Sequence, residues 1–247
     1  MCTLTFAWQV FDDTPLVVAA NRDERVDRPS TPPQVSDGDP KIVAPGDSEA
    51  GGTWIGYNEH GVFVAITNRW IETELNAPRS RGLLVRDALS YETAEAATRY
   101  VERELDAQEY DGFNLVLADA NAALFVEWDG RKQIRNLDPG VHVVVNVGID
   151  GEFFEPPRFP EAGEQQSQNA IRLLNALEPT PAETATGWLH RARDAISDHD
   201  FGVCIHEDGY GTRSSSLVTI GASGDGTYDF AAGSPCTTEY EPVEGQI

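Results

Sequence analysis

The chain of 247 residues holds three cysteines, one methionine and only two lysines, Lys41 and Lys132. Cys2, Cys204 and Cys236 form an odd set with no CxxC pair and no neighbouring CxxH, which argues against a disulfide framework and a structural zinc site. Cys204, within Phe201-Gly-Val-Cys-Ile205, reads as a small buried hydrophobe, and Cys236 as an inert residue of the tail. No apolar run approaches the ~20 residues of a membrane-spanning helix, and the N-terminus lacks the basic segment and apolar stretch of a secretion signal. The expectation is a cytoplasmic protein. Positive charge is scarce: 18 Lys and Arg stand against 41 Asp and Glu, a formal −23. Such a surface repels phosphate backbones and anionic membranes, which excludes nucleic-acid binding. Acidic excess with almost no lysine resembles proteins of salt-loving organisms, where concentrated salt screens self-repulsion. GxSxG, HExxH and P-loop motifs are missing, and His60, His142, His190, His199 and His206 share no ligand spacing, so no metal centre or cofactor is expected.

What is present reads as one domain over residues 1–247, with an acidic tail from about 233. Hydrophobic content of 40% and 22 glycines fit a globular, loop-rich chain. Leu4–Val10 and Leu16–Ala20 flank a turn-rich break and read as a hairpin; residues 25–40, with four prolines, read as a loop. Thr53–Tyr57 and Val62–Thr67 suggest a second hairpin. Phe113–Ala118, Ala123–Trp128, Gln133–Leu137 and Val141–Val145 suggest a meander, and Phe201–Ile205, Ser214–Ile220 and Tyr228–Ala231 suggest late strands. Helical spacing marks Ser80–Leu89, Thr93–Leu105 and Gln165–Leu177. A capping box at Thr180-Pro181-Ala182-Glu183 predicts a fourth helix to about Ile196. Strands, two helices, strands, two helices, strands: the order predicts an α+β fold of two antiparallel sheets packed together with helix layers outside.

The chemistry begins at residue 2. Cysteine is small enough for removal of the preceding methionine, which would leave a thiol and a free α-amine on one residue. That amine titrates near ~7.7–8.0 and can take the thiol's proton, so nucleophile and base would coincide. Asn21-Arg22-Asp23-Glu24 closes the second strand, where an antiparallel return brings it beside Cys2. There Arg22 favours a thiolate, and Asp23 or Glu24 can hold the ammonium. Gly51-Gly52-Thr53-Trp54 offers glycines for close backbone approach and an aromatic wall. Asn68 and Asn146 each end an apolar strand, where an amide can donate to a developing oxyanion. Arg213, opening a late strand, can bind a substrate carboxylate.

Taken together, Cys2, Asn21-Arg22-Asp23-Glu24, Gly51-Gly52-Thr53-Trp54, Thr67-Asn68, the Phe113–Asp119 segment, Asn146 and Gly211-Thr212-Arg213 resemble the NRDE family of transport and Golgi organisation proteins, from residue 1 to about 232. The resemblance implies an N-terminal nucleophile (Ntn) hydrolase-like αββα sandwich, related to cysteine-type bile salt hydrolases and penicillin V acylases. It implies Cys2 as nucleophile, Asp23 as partner of the α-amine, Arg22 as electrostatic aid, Asn68 and Asn146 as oxyanion or amine contacts, and Arg213 completing the pocket. Asn21, Glu24, Gly52, Thr53 and Trp54 are the expected substrate contacts. Those hydrolases space arginine and aspartate three apart, whereas Arg22 and Asp23 are adjacent and point to opposite strand faces. Glu24, on Arg22's face, is the competing acid. Two functions follow: hydrolysis of a small amphipathic amide, or carriage of haem or an acyl ligand in the same pocket without catalysis.

Overall fold

The computed structural model describes residues 2–72, 75 and 77–247, and the elements below are those of these residues. Strands β1 (Thr3–Phe11), β2 (Thr14–Arg25), β3 (Ser30–Val35), β4 (Ile42–Asp47), β5 (Ile55–Asn58) and β6 (Phe63–Asn68) precede helices α1 (Arg81–Ala88) and α2 (Ala94–Ala107). Then come β7 (Phe113–Ala118), β8 (Ala123–Trp128), β9 (Lys132–Asn136), β10 (Gly140–Val145), β11 (Gly148–Ile149) and β12 (Glu152–Phe153), followed by α3 (Pro160–Ala176) and α4 (Ala185–Ser197). After a 3-10 turn at His199–Phe201, β13 (His206–Glu207), β14 (Tyr210–Ile220), β15 (Gly226–Ala231) and β16 (Glu241–Pro242) complete the chain.

Two antiparallel sheets result. One runs β12-β11-β10-β1-β2-β14-β15-β16, with β13 paired to β14; the other runs β3 to β9 in chain order. The period of two in β1 and β2 decides the layers. Leu4, Phe6 and Trp8, with Leu16 and Val18, pack between the sheets against Ile55, Tyr57, Phe63 and Phe125. The intervening Ala7, Val17 and Ala19 face the other way, onto Trp188, Leu189 and Ala192 of α4 and Leu173 of α3. On the far side, Val85, Ala97, Val101 and Leu105 of α1 and α2 cover Val64, Leu115 and Val126. Each large apolar side chain so buried stabilises by about 1.5–3 kcal/mol. Packing rather than propensity therefore holds a helix as short as the eight residues of α1. Four layers follow, αββα, as expected.

Several local expectations are corrected. β2 does not end at Ala20 but runs to Arg25, so Asn21–Glu24 lie within a strand, paired across to β14. The proline-rich stretch contains an edge strand, β3, whose register shifts between Thr31 and Gln34, around Pro32 and Pro33. A bulge on an edge is where prolines are tolerated. The fourth helix starts later, at Ala185, capped by Thr184. Half of the expected capping box does form, because Glu183 accepts from the Thr180 backbone N–H at 3.0 Å. Ala182, however, takes φ 63°, which breaks a helix there. Phe201–Ile205 is no strand: Gly202 sits in the left-handed region (φ 67°) after the 3-10 turn. α3 begins at Pro160, five residues before its expected start.

Candidate active site

Cys2 immediately precedes β1, a strand flanked on one side by β10 and on the other by β2. The register Thr3↔Asn21 and Leu4↔Val144 carries Arg22 and Asn146 to either side of it. The Cys2 backbone N–H donates to Asn146 Oδ1 at 3.1 Å, and its Sγ lies 3.7 Å from the Asp23 carbonyl oxygen. Asn146 is fully enclosed, and its amide is held from three directions: Oδ1 also accepts from Gln166 Nε2 at 2.9 Å, and Nδ2 donates to the Asn68 carbonyl at 2.7 Å. An acceptor is thereby fixed on the Cys2 nitrogen. Burial pushes the Cys2 thiol above its ordinary value; the Asp23 carboxylate adds to that rise and the Arg22 guanidinium opposes it.

The strand alternation splits the four-residue cluster. Arg22 and Glu24 share one face, where their side chains approach to 3.9 Å and Glu24 lies 3.6 Å from Arg28. The Arg22 guanidinium stacks over Trp54, 4.3 Å from the ring centroid. Its Nη1 is buried without a hydrogen-bond partner among the described residues. Asn21 and Asp23 occupy the opposite face. Asn21 donates to the carbonyls of Ile196 and Val203, so this expected substrate contact instead ties β2 to α4 and the turn beyond it. Asp23 is buried, and its Oδ1 accepts from Thr212 Oγ1 at 2.6 Å. Burial pushes the Asp23 carboxyl up to about 6, although the Thr212 hydrogen bond works against the rise. Of the two acids, Asp23 is the one whose charge acts on the Cys2 thiol, while Glu24 pairs with Arg22 and Arg28.

Cys2, Arg22, Asp23, Glu24, Thr53, Trp54 and Asn68 all line one cavity of about 480 Å³. Asn68 presents an exposed side chain at its wall. Gly52 does not line it. A Cβ on Gly52 would sit 2.1 Å from the backbone of Gly82, and its φ is +77°, so the glycine serves a close approach to the start of α1. The Thr53 N–H donates to the Gly82 carbonyl at 3.0 Å. Arg213 also falls outside. It stands in the bulge of β14 between Thr212 and Ser214 and lines a neighbouring cavity of about 290 Å³ with Arg28 and Pro29.

Sequence reasoning missed Arg79, Arg81, Asp47 and Asp111, which complete the walls. Arg28 is tied to Asp47 at 2.7 Å, and Arg79 to Asp87 and Glu104. Arg81 donates to the Gly112 carbonyl at 2.7 Å, and burial lowers its affinity for its proton. A signal for Arg81 existed. In a chain with so few cations, an arginine at the first position of a helix opposes the helix dipole, a placement that calls for another reason. A larger cavity of about 890 Å³ opens between β3 and the C-terminal segment, but among the described residues its lining from Pro32 to Gly245 holds no cysteine or histidine.

The site thus joins a sulfur, a fixed acceptor at its own nitrogen, a buried acid and a guanidinium with a spare donor. These are components suited to acyl transfer. Comparison with known proteins agrees at the level of fold. The structure is similar to penicillin V acylase from Agrobacterium tumefaciens (TM-score 0.57, 15% identity, 94% of this chain and 83% of that one). It is also similar to the Caenorhabditis elegans N-acylethanolamine-hydrolyzing acid amidase ortholog (TM-score 0.57, 13% identity, 87% of this chain and 92% of that one). In sequence, the Transport and Golgi organization protein 2 homolog of Bos taurus is 29% identical over 266 residues, 92% of this chain and 91% of the bovine one. The profile described as Transport and Golgi organisation 2 matches residues 1–229, and the chain belongs to that family, on an Ntn-hydrolase fold.

Proposed function

We propose that this protein is a cysteine-dependent hydrolase of non-peptide amides, working by the N-terminal nucleophile route. The carrying observation is the position of Cys2: the residue lines a walled cavity while its nitrogen is held by Asn146. Once Met1 is removed, that nitrogen becomes an amine with Asn146 Oδ1 as acceptor and Asp23 as the nearby anion. The amine takes the thiol proton, and the sulfur adds to the substrate carbonyl carbon. The oxyanion receives hydrogen bonds from the Asn68 amide and from backbone N–H groups. Collapse breaks the C–N bond, the ammonium returns its proton to the leaving amine, and water then cleaves the thioester to acid and free thiol.

Substrate class follows from the walls. Among the described residues, eight of the seventeen that line the cavity are charged (Arg22, Asp23, Glu24, Arg28, Asp47, Arg79, Arg81, Asp111), and the apolar ones include Trp54 and Ile66. A small amide with one apolar end against Trp54 and a polar or anionic group toward Arg22 suits this lining. The carrier reading uses the same cavity. Among the described residues Cys2 is the only thiol or imidazole in the lining, and so much charge does not suit the broad apolar faces of haem, so the amide is favoured.

The test is an intact mass of purified protein together with turnover of a panel of acyl anilides. Loss of Met1, release of amine, and no release by Cys2→Ala support the reading. A chain that keeps Met1, or turnover that survives Cys2→Ala, refutes it. A thiol-dependent Soret band on haem titration without any amide turnover would establish the carrier instead.

A further inference from the structure

Cys204 and Cys236, expected as a buried hydrophobe and an inert tail residue, do not lie in isolation. The turn after α4 brings His199 beside His206, with ring centroids 5.1 Å apart. His206 Nε2 lies 3.6 Å from Cys204 Sγ and 3.1 Å from Cys236 Sγ. One ligand atom from each of the four residues falls within 4.8 Å of all the others. Cys236 arrives from a turn in which Thr237 and Thr238 N–H groups both donate to the Ser234 carbonyl, thirty residues after His206. That separation is why ligand spacing in the sequence gave no sign of it.

We propose that His199, Cys204, His206 and Cys236 form a structural site for a thiophilic divalent cation of the zinc class. Bonds of about 2.3 Å to sulfur and about 2.0–2.1 Å to nitrogen, in a tetrahedron, set ligand separations of roughly 3.3–3.8 Å. The 3.6 Å separation meets this directly, the 3.1 Å one needs an opening of about half an ångström, and the widest, within 4.8 Å, needs a closing of at most about one ångström. Two softer sulfurs and two imidazoles are the donor set that zinc takes in closed sites and that calcium or magnesium refuse. Binding releases the two thiol protons, so two thiolates and two neutral imidazoles cancel the cation's charge. Four protein ligands complete the shell and leave no position for a substrate, which makes the site structural rather than catalytic.

Its place in the fold gives it work. Cys236 belongs to the segment after β15, Cys204 to the loop before β13 and His206 to β13 itself, so the cation would fasten one region to the other. Both reach the Cys2 cavity through Thr212. The Thr212 carbonyl accepts from Ser234 Oγ at 2.8 Å, its Oγ1 accepts from the Ile205 N–H at 2.8 Å, and that same Oγ1 donates to Asp23. The cation is inferred to stiffen the wall that holds Asp23, without touching Cys2.

The experiment uses the full chain, reduced, stripped with a chelator and titrated with cobalt(II). One equivalent is expected to raise the visible d–d bands of a tetrahedral site and a near-ultraviolet thiolate charge-transfer band, with zinc(II) bleaching both. Cys2→Ala must keep the spectrum, which separates this site from the catalytic proposal, and His206→Asn must weaken cobalt binding at least ~10-fold. Cys236→Ser must abolish the charge-transfer band of that cysteine. Because Cys236 is only half-buried, this variant is also checked by its melting temperature, which zinc should raise in the native chain and leave unmoved in the variant. Absence of a stoichiometric tetrahedral spectrum overturns the proposal, as does a spectrum that survives Cys236→Ser. So does a Cys204–Cys236 disulfide whose reduced form binds no cobalt.

Discussion

Sulfur appears in two settings on opposite sides of Thr212. Cys2 lines a cavity walled by arginines and acids, with no imidazole in the lining among the described residues. Across Thr212, Cys204 and Cys236 crowd onto two exposed histidines, and Cys236 borders a separate cavity of about 620 Å³ toward Arg193 and Tyr240. The difference teaches that a cysteine's chemistry is set by what the fold brings to it. A guanidinium, an acid and a backbone nitrogen suit a nucleophile, whereas a second sulfur and two imidazoles suit a cation.

The largest effect that can break this comparison is on turnover. Cys2→Ala should lower kcat by at least ~10³-fold with the melting temperature nearly unchanged. A comparable loss in Cys204→Ser with full folding would place the nucleophile in the wrong setting. Next comes Gly52→Ala, which has no room against Gly82 and no relaxed backbone at φ +77°. It should destabilise by about 2–4 kcal/mol, seen as a lower midpoint in denaturant unfolding. The pH profile sharpens the role of Asp23. Its carboxyl must be ionised to hold an ammonium, and burial has raised it to about 6. Below that value activity should therefore fall by a further factor of about ten per pH unit, beyond the decline set by protonation of the α-amine near ~7.7–8.0. In Asp23→Asn this limb should vanish from a profile that is low throughout. A limb that persists in the variant would move the role to Glu24. Smallest is Arg213→Ala: because Arg213 lines the adjoining cavity, kcat/KM should change by less than ~2–3-fold. A larger loss would return Arg213 to the active site, where the family resemblance had put it.

How much of this was legible varied with the range of the signal. The β1–β2 hairpin, the two sheets and the helix layers follow from local periodicity, and Leu4-Phe6-Trp8 against Thr5-Ala7 is readable from the sequence alone. The opposition of Arg22 and Asp23 was readable too, since it needs only strand alternation. Three things were not. The strand character of Asn21–Arg25 depends on β14 arriving alongside, about 190 residues later, and no local polarity reveals a partner. The capping box at Thr180 satisfied half its hydrogen bonds in a turn that then failed to continue, because Ala182 had adopted a left-handed conformation. Asn21 looked like a ligand contact because it is polar among functional residues. Its amide is spent on the Ile196 and Val203 carbonyls, which only the helix packing exposes.

Every edge of the two sheets carries a device against recruiting a further strand. In β3 the register break around Pro32 and Pro33 leaves two positions without an amide to offer a neighbouring molecule. The opposite edge, β9, carries Lys132 and Arg135, and the nine-stranded sheet ends in two-residue strands at both sides. Sheets edged in this way resist extension by intermolecular pairing, which lowers the tendency of a β-rich body to template fibrils.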